Sequence, residues 1–210
     1  MIGSGMDRNR LDRYWTDQWI TDELFKHCDG YIPKTIWEPA AGRGDMAAAI
    51  EFHQRSVAAS DIDMSEFSLT SAGWDFEADF LTMIELPWTV GGQVKGIITN
   101  PPYQRMAEKF IRHGLKWLDH PNVNLEFMAM ILRSEFKSGK TRHDIFGECP
   151  HYLGELVLTT RPRWDLDEPD RPDVAHPRHN YSWFMWKSWH NEGAKPIQIF
   201  SYMPPGFTPA

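Results

Sequence analysis

Residues 95–106 read KGIITNPPYQRM, and this stretch determines how the rest of the chain is interpreted. The apolar pair at 97–98 is typical of a buried strand. Two consecutive prolines then end the strand, because each lacks an N–H group and fixes φ at about −65°. A core strand therefore stops at a stiff turn that holds the amide of Asn100 on one side and the ring of Tyr103 on the other.

Strands and helices alternate on both sides of this stretch. Ahead of it, KTIW (34–37) and SVAAS (56–60) read as strands, and the alanine-rich segment at 44–55 between them favours a helix. After it, apolar residues recur at helical spacing from 107 to 118. Strand-like runs follow, the last of them arranged like a hairpin. The pattern predicts an α/β fold with an open, mostly parallel sheet and antiparallel pairing near its end.

Length and composition predict one intracellular domain covering 1–210, with residues 1–9 flexible. No apolar run has the length of a membrane span and no signal peptide precedes the domain, so we expect a cytoplasmic location and no membrane partner. Cys28 and Cys149 are expected to be reduced thiols, and the nine histidines show no ligand spacing, so no metal is predicted.

The net charge of −7 conceals an uneven distribution. Residues 1–99 carry 8 Lys/Arg and 16 Asp/Glu, whereas residues 100–210 carry 14 and 13. A polyanion would therefore meet the second half, where RSEFKSGKTRH (133–143) holds four basic side chains and one acidic. A solvated loop explains the same run without any partner.

Small and acidic residues follow the predicted strands, where parallel sheets bind ligands. WEPAAGRGDMA (37–47) lets the backbone turn tightly and approach a ligand, but it is neither a phosphate-binding loop nor a dinucleotide fingerprint. Asp61 is placed to accept hydrogen bonds from ribose hydroxyls, and Asp63 shares this role or caps the next helix. Asp79 is placed to accept from an adenine amino group while Phe80 packs on the ring.

The Asn100 turn suits chemistry on an amino group. The side-chain oxygen of Asn100 and the backbone oxygen of Pro101, fixed by Pro102, can accept both hydrogens of one NH₂ group. The nitrogen lone pair then leaves the conjugated plane and faces an electrophile, and Tyr103 offers a flat face to a flipped base. No strong base is needed, because attack on a sulfonium methyl group acidifies the remaining proton. Orientation and polarisation would supply most of the catalysis.

With these motifs in order, the chain resembles class I S-adenosylmethionine-dependent amino-methyltransferases, above all the DNA adenine-N6 methyltransferases of bacteria and phages. EPAAGRGD, SDID, ADF and NPPY match the family's motifs in order and spacing, and the resemblance spans roughly residues 10 to 190. It implies a Rossmann-like fold: a mostly parallel seven-stranded sheet with an antiparallel C-terminal strand and helices on both faces.

The resemblance also implies S-adenosyl-L-methionine as cofactor and assigns residues to it. YWTD resembles the family's N-terminal Tyr-x-Thr-Pro pattern, although Asp17 stands where proline is expected. The implied cofactor-binding residues are Tyr14, Thr16, Glu38, Pro39, Ala40, Gly42, Gly44, Asp45, Met46, Asp61, Ile62, Asp79 and Phe80. The implied catalytic residues are Asn100, Pro101, Pro102 and Tyr103.

DNA, double- or single-stranded, is the expected substrate. Basic side chains suited to phosphates are Arg133, Lys137, Lys140, Arg142 and Arg163. YSWFMWKSW resembles the family's late aromatic strand, so Trp183 and Phe184 are candidates to house the target base, with core packing as the alternative. The chain has no room for a separate target-recognition domain. We therefore expect a short recognition sequence or little sequence specificity, and help from a homodimer is left open.

Other reaction classes fit the residues less well. Cytosine-C5 methylation needs a cysteine nucleophile where NPPY stands. Cytosine-N4 methylation uses the same amino chemistry but more often with serine first in the motif. RNA amino-methyltransferases and protein glutamine methyltransferases also use NPPY, the latter usually with an extra helical domain. A binding module that retains the cofactor without methyl transfer is the non-enzymatic alternative.

Overall fold

The computed structural model describes residues 16–68, 74–102, 105–162, 179–188, 195–204 and 207. The α-helices in these ranges are α1 (Gln18–Cys28), α2 (Asp45–Phe52), α3 (Arg105–Leu118) and α4 (His143–Phe146). The strands are β1 (Thr35–Glu38), β2 (Ser56–Asp61), β3 (Asp75–Glu77), β4 (Trp88–Thr89), β5 (Gly92–Gln93), β6 (Gly96–Thr99), β7 (Phe127–Arg133), β8 (Tyr152–Leu158), β9 (Tyr181–Lys187) and β10 (Ile197–Ser201).

Eight of these strands form one sheet in the order β10-β8-β9-β7-β6-β1-β2-β3, and β4 and β5 form a separate hairpin. Only β9 among them runs antiparallel, pairing with β7 on one side and β8 on the other. The sheet thus has one strand more than the seven predicted, because β10 adds in parallel to the free side of β8. Gly154 allows this pairing, since its φ of +143° and the adjacent register shift bring β8 close to the backbone of Ile197.

Side chains alternate between two apolar cores on opposite faces of the sheet. Ile36 joins the core beneath α1 and α2, and its neighbour Trp37 joins the core beneath α3 and α4. At Gly114 in α3, an added Cβ would lie 2.3 Å from the sulfur of Met128, so the missing side chain lets the helix lie close to β7. The prediction of helices on both faces is confirmed. No helix in the described part of the chain is long and apolar enough to cross a membrane.

The chain leaves β1, β2, β3 and β6 at the same edge of the sheet, because these strands are parallel. We call this the carboxyl edge. From β1 the chain proceeds through β2 and β3 in one direction, and from β6 it continues to β7 in the other. The strand order therefore reverses between β1 and β6, which is where open α/β sheets bind their ligands.

Candidate active site

The turn after β1 carries two glycines in left-handed conformations, with φ of +53° at Gly42 and +97° at Gly44. An added Cβ at Gly44 would lie 3.0 Å from the ring of Phe67, so this glycine is required by packing within the protein. An added Cβ at Gly42 would meet no atom of the described residues within 4 Å. The backbone at Gly42 therefore borders open space, as a ligand cradle requires.

Asp61, the last residue of β2, holds this turn in place. Its Oδ2 accepts a hydrogen bond from the Gly42 backbone N–H over 2.9 Å, and its Oδ1 accepts one from the Asp63 N–H over 3.2 Å. The side chain of Ile62 between them projects outward and is 58% exposed. A carboxylate offers about four acceptor positions, so a group of this kind can accept from a ligand hydroxyl in addition to backbone N–H groups.

The side chains of Asp79 and Phe80, which follow β3, have different surroundings. Asp79 is half-buried at the carboxyl edge, where its Oδ1 caps a short 3₁₀ turn by accepting from the Leu81 N–H over 2.9 Å. Phe80 is 1% exposed, and its ring stacks on Phe110 with centroids 4.5 Å apart and lies 5.2 Å from Trp37. Its ring lies in the core and is not at the edge, where adenine packing was expected.

Glu38 links the end of β1 to the end of β6. Its Oε1 accepts hydrogen bonds from Thr99 Oγ1 and from the Ala40 N–H over 3.1 Å. Its Oε2 is buried and receives no hydrogen bond from the described residues. Burial raises the pKa of Glu38 to about 8, the charge of Asp61 adds to the effect, and the two hydrogen bonds oppose it. Glu38 is therefore mostly protonated at neutral pH.

The sequence reasoning missed Thr99 as a member of this edge. Thr99 is fully buried and is the last residue of the apolar strand β6, directly before Asn100. A buried hydroxyl needs a hydrogen-bond partner. A threonine at the end of an otherwise apolar strand could therefore have indicated a polar contact at this position. Glu38 supplies that partner, so the predicted cofactor turn and the predicted catalytic turn are directly connected.

Asn100 lies at the carboxyl edge, half-buried, immediately after β6. Its Nδ2 donates to Oγ1 of Thr16 over 3.1 Å, and Thr16 is 5% exposed. Pro101 is buried and Pro102 is partly exposed. With the bond from Thr99 to Glu38, the structure thus brings together residues of three motifs that are distant in sequence, YWTD, EPAAGRGD and NPPY. Tyr14 and Tyr103, which the sequence assigned to the cofactor and the base, lie outside the described residues.

The remaining residues of the first motif have mainly structural surroundings. Pro39 is buried and Met46 is 3% exposed in the core beneath α2. Asp45 is the first residue of α2, and its Oδ2 lies 3.1 Å from Nε of Arg43 at the surface. A carboxylate in this position favours the positive end of the helix dipole. These side chains shape the turn, and the Gly42 backbone borders the open space.

Two of the predicted phosphate-binding residues are held by ion pairs within the protein. The Lys137 ammonium pairs with Glu155, which is 3% exposed on β8. Nε of Arg142 lies 3.1 Å from Oε2 of Glu108 on α3, and its guanidinium stacks on the ring of Phe136. These contacts fasten the segment after β7 to α3 and β8, so both cations have a structural role.

Two other predicted phosphate-binding residues are exposed. Arg133 ends β7 at the carboxyl edge and Lys140 follows in the next loop, and neither forms an ion pair with the described residues. Their charges are available to a polyanion that approaches this edge. Arg163 lies outside the described part of the chain.

Trp183 and Phe184 lie in the two cores and not in a surface pocket. Both are 0% exposed. Trp183 donates its indole N–H to the backbone oxygen of Ile20 in α1 over 2.9 Å, and Phe184 makes an edge contact with Phe146 at 5.3 Å between centroids. The core-packing alternative therefore accounts for both side chains.

No family profile and no curated protein sequence matches the chain. Many solved structures resemble it, the following three among them. A candidate RNA methyltransferase from Pyrococcus horikoshii shares 12% identity with a TM-score of 0.59, covering 89% of this chain and 92% of its own. A modification subunit of a candidate type I restriction enzyme from Vibrio vulnificus shares 12% identity with a TM-score of 0.55, and the match covers 93% of this chain and 48% of that one. A candidate hemolysin from Lactococcus lactis shares 9% identity with a TM-score of 0.57, and the match covers 90% of this chain and 94% of that one.

The fold is that of the class I methyltransferases. Identities this low show the fold alone, and one fold carries many activities. The assignment of an activity therefore depends on the residues at the carboxyl edge, where Gly42, Asp61, Glu38 and Asn100 lie around the point at which the strand order reverses.

Proposed function

We propose that this protein transfers a methyl group from S-adenosylmethionine to the exocyclic amino group of adenine in DNA. The observation that carries the proposal is the connection between Glu38 and Asn100. Glu38 in the cofactor turn accepts a hydrogen bond from Thr99, the residue next to Asn100. An amino-group acceptor therefore stands beside the turn that would hold the methyl donor.

The residues at the carboxyl edge fit this cofactor. The open backbone at Gly42 and the carboxylate of Asp61 suit the methionine end and the ribose, and Asp79 suits the adenine amino group. The exposed side chain of Ile62 offers an apolar face. The buried Oε2 of Glu38 would gain a donor from the cofactor ammonium. When bound, the cofactor supplies a methyl group on positively charged sulfur.

In the proposed reaction the chain's own residues orient the target amine. The Asn100 side-chain oxygen and the Pro101 backbone oxygen accept its two hydrogens, so that its lone pair is directed at the methyl group. Removal of one such oriented acceptor is expected to lower the rate by about 10² to 10³. Tyr103 is proposed to stack on the flipped base.

DNA is favoured as substrate by the likeness in fold between this chain and a modification subunit of a candidate type I restriction enzyme, and by the exposed cations Arg133 and Lys140. Asparagine as the first residue of the motif favours adenine over cytosine-N4. The similar archaeal protein keeps RNA as the second candidate. Protein glutamine is the third, because its side-chain amide presents the same NH₂ group.

The test is to incubate the protein with S-adenosylmethionine and unmethylated DNA or RNA, digest to nucleosides and quantify methylated bases by mass spectrometry. Asn100→Ala should lower the rate of product formation by about 10² to 10³, whereas Asn124→Ala, an exposed residue between α3 and β7, should not change it. N6-methyladenine in DNA whose formation is slowed in this way only by Asn100→Ala supports the proposal. N4-methylcytosine changes the base, and a product in RNA alone changes the polymer. Cofactor binding without any methylated base refutes nucleic-acid methylation.

A further inference from the structure

The hydrogen bond between Asn100 and Thr16 joins segments 84 residues apart. Sequence resemblance assigns Thr16 to the cofactor, but in the structure its hydroxyl accepts from the side-chain amide of Asn100. Thr16 is 5% exposed, so solvent competes poorly for this bond. A buried and specific partner for the proposed catalytic amide is a contact that the motif comparison does not supply.

The position of Thr16 is fixed by α1, which begins two residues later. Ile20 on α1 is fully buried, and its backbone oxygen accepts the Trp183 indole N–H over 2.9 Å. One turn further, the Glu23 carboxylate accepts a hydrogen bond from Ser201 on β10. Two side-chain bonds from β9 and β10 therefore anchor the helix that presents the Thr16 hydroxyl.

The orientation of Asn100 matters because the two ends of its amide are chemically unlike. The oxygen accepts hydrogen bonds, and the NH₂ group only donates them. If the amide turned over, its NH₂ group would face the NH₂ group of the target, and no hydrogen bond could form between them. In the structure Nδ2 donates to the Thr16 hydroxyl, and this bond holds the amide with Nδ2 toward Thr16 and Oδ1 directed away from it.

We propose that Thr16 is a positioning residue that holds the Asn100 amide in place for methyl transfer. This inference rests on the proposed function, since orientation matters only if the amide oxygen binds the target amine. Thr16 then has a role other than binding the cofactor. Loss of the Thr16 hydroxyl should change the methyl-transfer step and leave cofactor affinity nearly unchanged.

The test compares Thr16→Val, which keeps the shape and removes the hydroxyl, with Thr16→Ser, which keeps the hydroxyl. Thr21→Val is the matched control, because Thr21 lies on the adjoining helix α1, is fully buried, and its hydroxyl has no hydrogen-bond partner among the described residues. For each variant, cofactor Kd is measured by calorimetry and the methyl-transfer rate in a single turnover at saturating cofactor and DNA. Hydrogen exchange of the Asn100 side-chain amide is followed by ¹⁵N NMR.

In Thr16→Val we expect cofactor Kd within about threefold of wild type, and a single-turnover rate lower by about 10- to 100-fold. Exchange of the Asn100 amide should accelerate, and Thr16→Ser should restore most of the rate and the protection. Thr21→Val should change none of the three. A large loss of cofactor affinity with a normal rate at saturation would overturn the inference and return Thr16 to the cofactor.

Hydrogen exchange separates failure of this inference from failure of the proposed function. If the wild-type protein methylates no adenine, the proposed function fails, and amide exchange still reports whether Thr16 orients Asn100. If methylation is found but Thr16→Val leaves both the exchange and the rate unchanged, the proposed function stands and the positioning role is refuted.

Discussion

The protonation of Glu38 should make cofactor binding depend on pH below neutral pH. Its pKa is raised to about 8 by burial, so the carboxyl group holds a proton at pH 6 and at pH 7. In the proposed complex, a cationic cofactor ammonium beside Oε2 would favour the ionised form, so binding should release this proton. Cofactor affinity should therefore rise with pH. The measurement is cofactor Kd by calorimetry at pH 6.0, 6.5 and 7.0.

The magnitude follows from the pKa. With a value near 8, the ionised fraction is about 1% at pH 6 and about 9% at pH 7. If only the ionised form binds tightly, the observed affinity scales with that fraction. Affinity should then increase about ninefold over this interval. Calorimetry in two buffers of different ionisation enthalpy should show about 0.9 proton released per cofactor at pH 7.

Glu38→Gln is the control, because glutamine has nearly the same shape and does not titrate. The cofactor's amino group has a pKa of about 7.7 to 8.0 and stays mostly charged up to pH 7, so it contributes little to the slope. The variant should show a nearly constant Kd and no proton release. If the variant keeps the wild-type slope, histidines and not Glu38 are responsible. A flat wild-type profile would refute the reasoning altogether.

The same group predicts a pH effect on stability without cofactor. Folding raises the pKa of Glu38 from 4.5 to about 8, so the unfolded chain releases a proton that the folded protein retains. The contribution of Glu38 to stability is therefore full below pH 4.5 and is lost progressively as pH rises to about 8. Urea unfolding of wild type and Glu38→Gln should show wild-type stability falling relative to the variant across this window. A constant difference would contradict the assigned pKa.

Three further predictions concern the turn, the added strand and the cations. Gly44→Ala should lower the free energy of unfolding in urea by more than Gly42→Ala, because both add left-handed strain of about 1–2 kcal/mol but only Gly44 also meets a ring. Gly42→Ala should weaken cofactor binding. Gly154→Ala should destabilise by about 3 kcal/mol or more, since its Cβ would lie 2.0 Å from a β10 backbone oxygen; an unchanged unfolding midpoint would contradict this. Lys140→Gln should make the plot of log binding constant for DNA against log salt concentration less steep, by about one unit of slope. Lys137→Gln should instead lower thermal stability.

Much of the fold was predictable because it depends on local pattern. Buried runs that stop at Gly42 or Asn100 identify strand ends, and the helical spacing after Asn100 correctly predicted α3 on one face. Parallel strands then place the ends at one edge. The segment that forms β10 was among the strand-like runs, but its parallel pairing with β8 was not predictable by pattern, because it depends on the conformation of Gly154 in another strand. Backbone geometry of that kind leaves little signal in a single sequence.

The sequence predicted the positions of several candidate site residues better than it predicted their hydrogen-bond partners. Asp61 and Asn100 lie where strand ends suggested, but the bond from Asn100 to Thr16 depends on how α1 docks. Phe80 was expected at the edge since it follows an acidic residue. A phenyl ring beside Trp37 and Phe110 gains more from burial than from exposure, and adjacency in sequence does not show which way it turns.

The anchoring of α1 also bears on how the protein folds. The bonds from Trp183 to Ile20 and from Ser201 to Glu23 span 163 and 178 residues. Contacts of such separation close long loops and form slowly. The Thr16 hydroxyl should therefore reach Asn100 only after β9 and β10 have joined the sheet. A folding intermediate without those two strands would have the glycine turn but an unsupported amide, so we expect methyl transfer to be among the last properties that refolding restores.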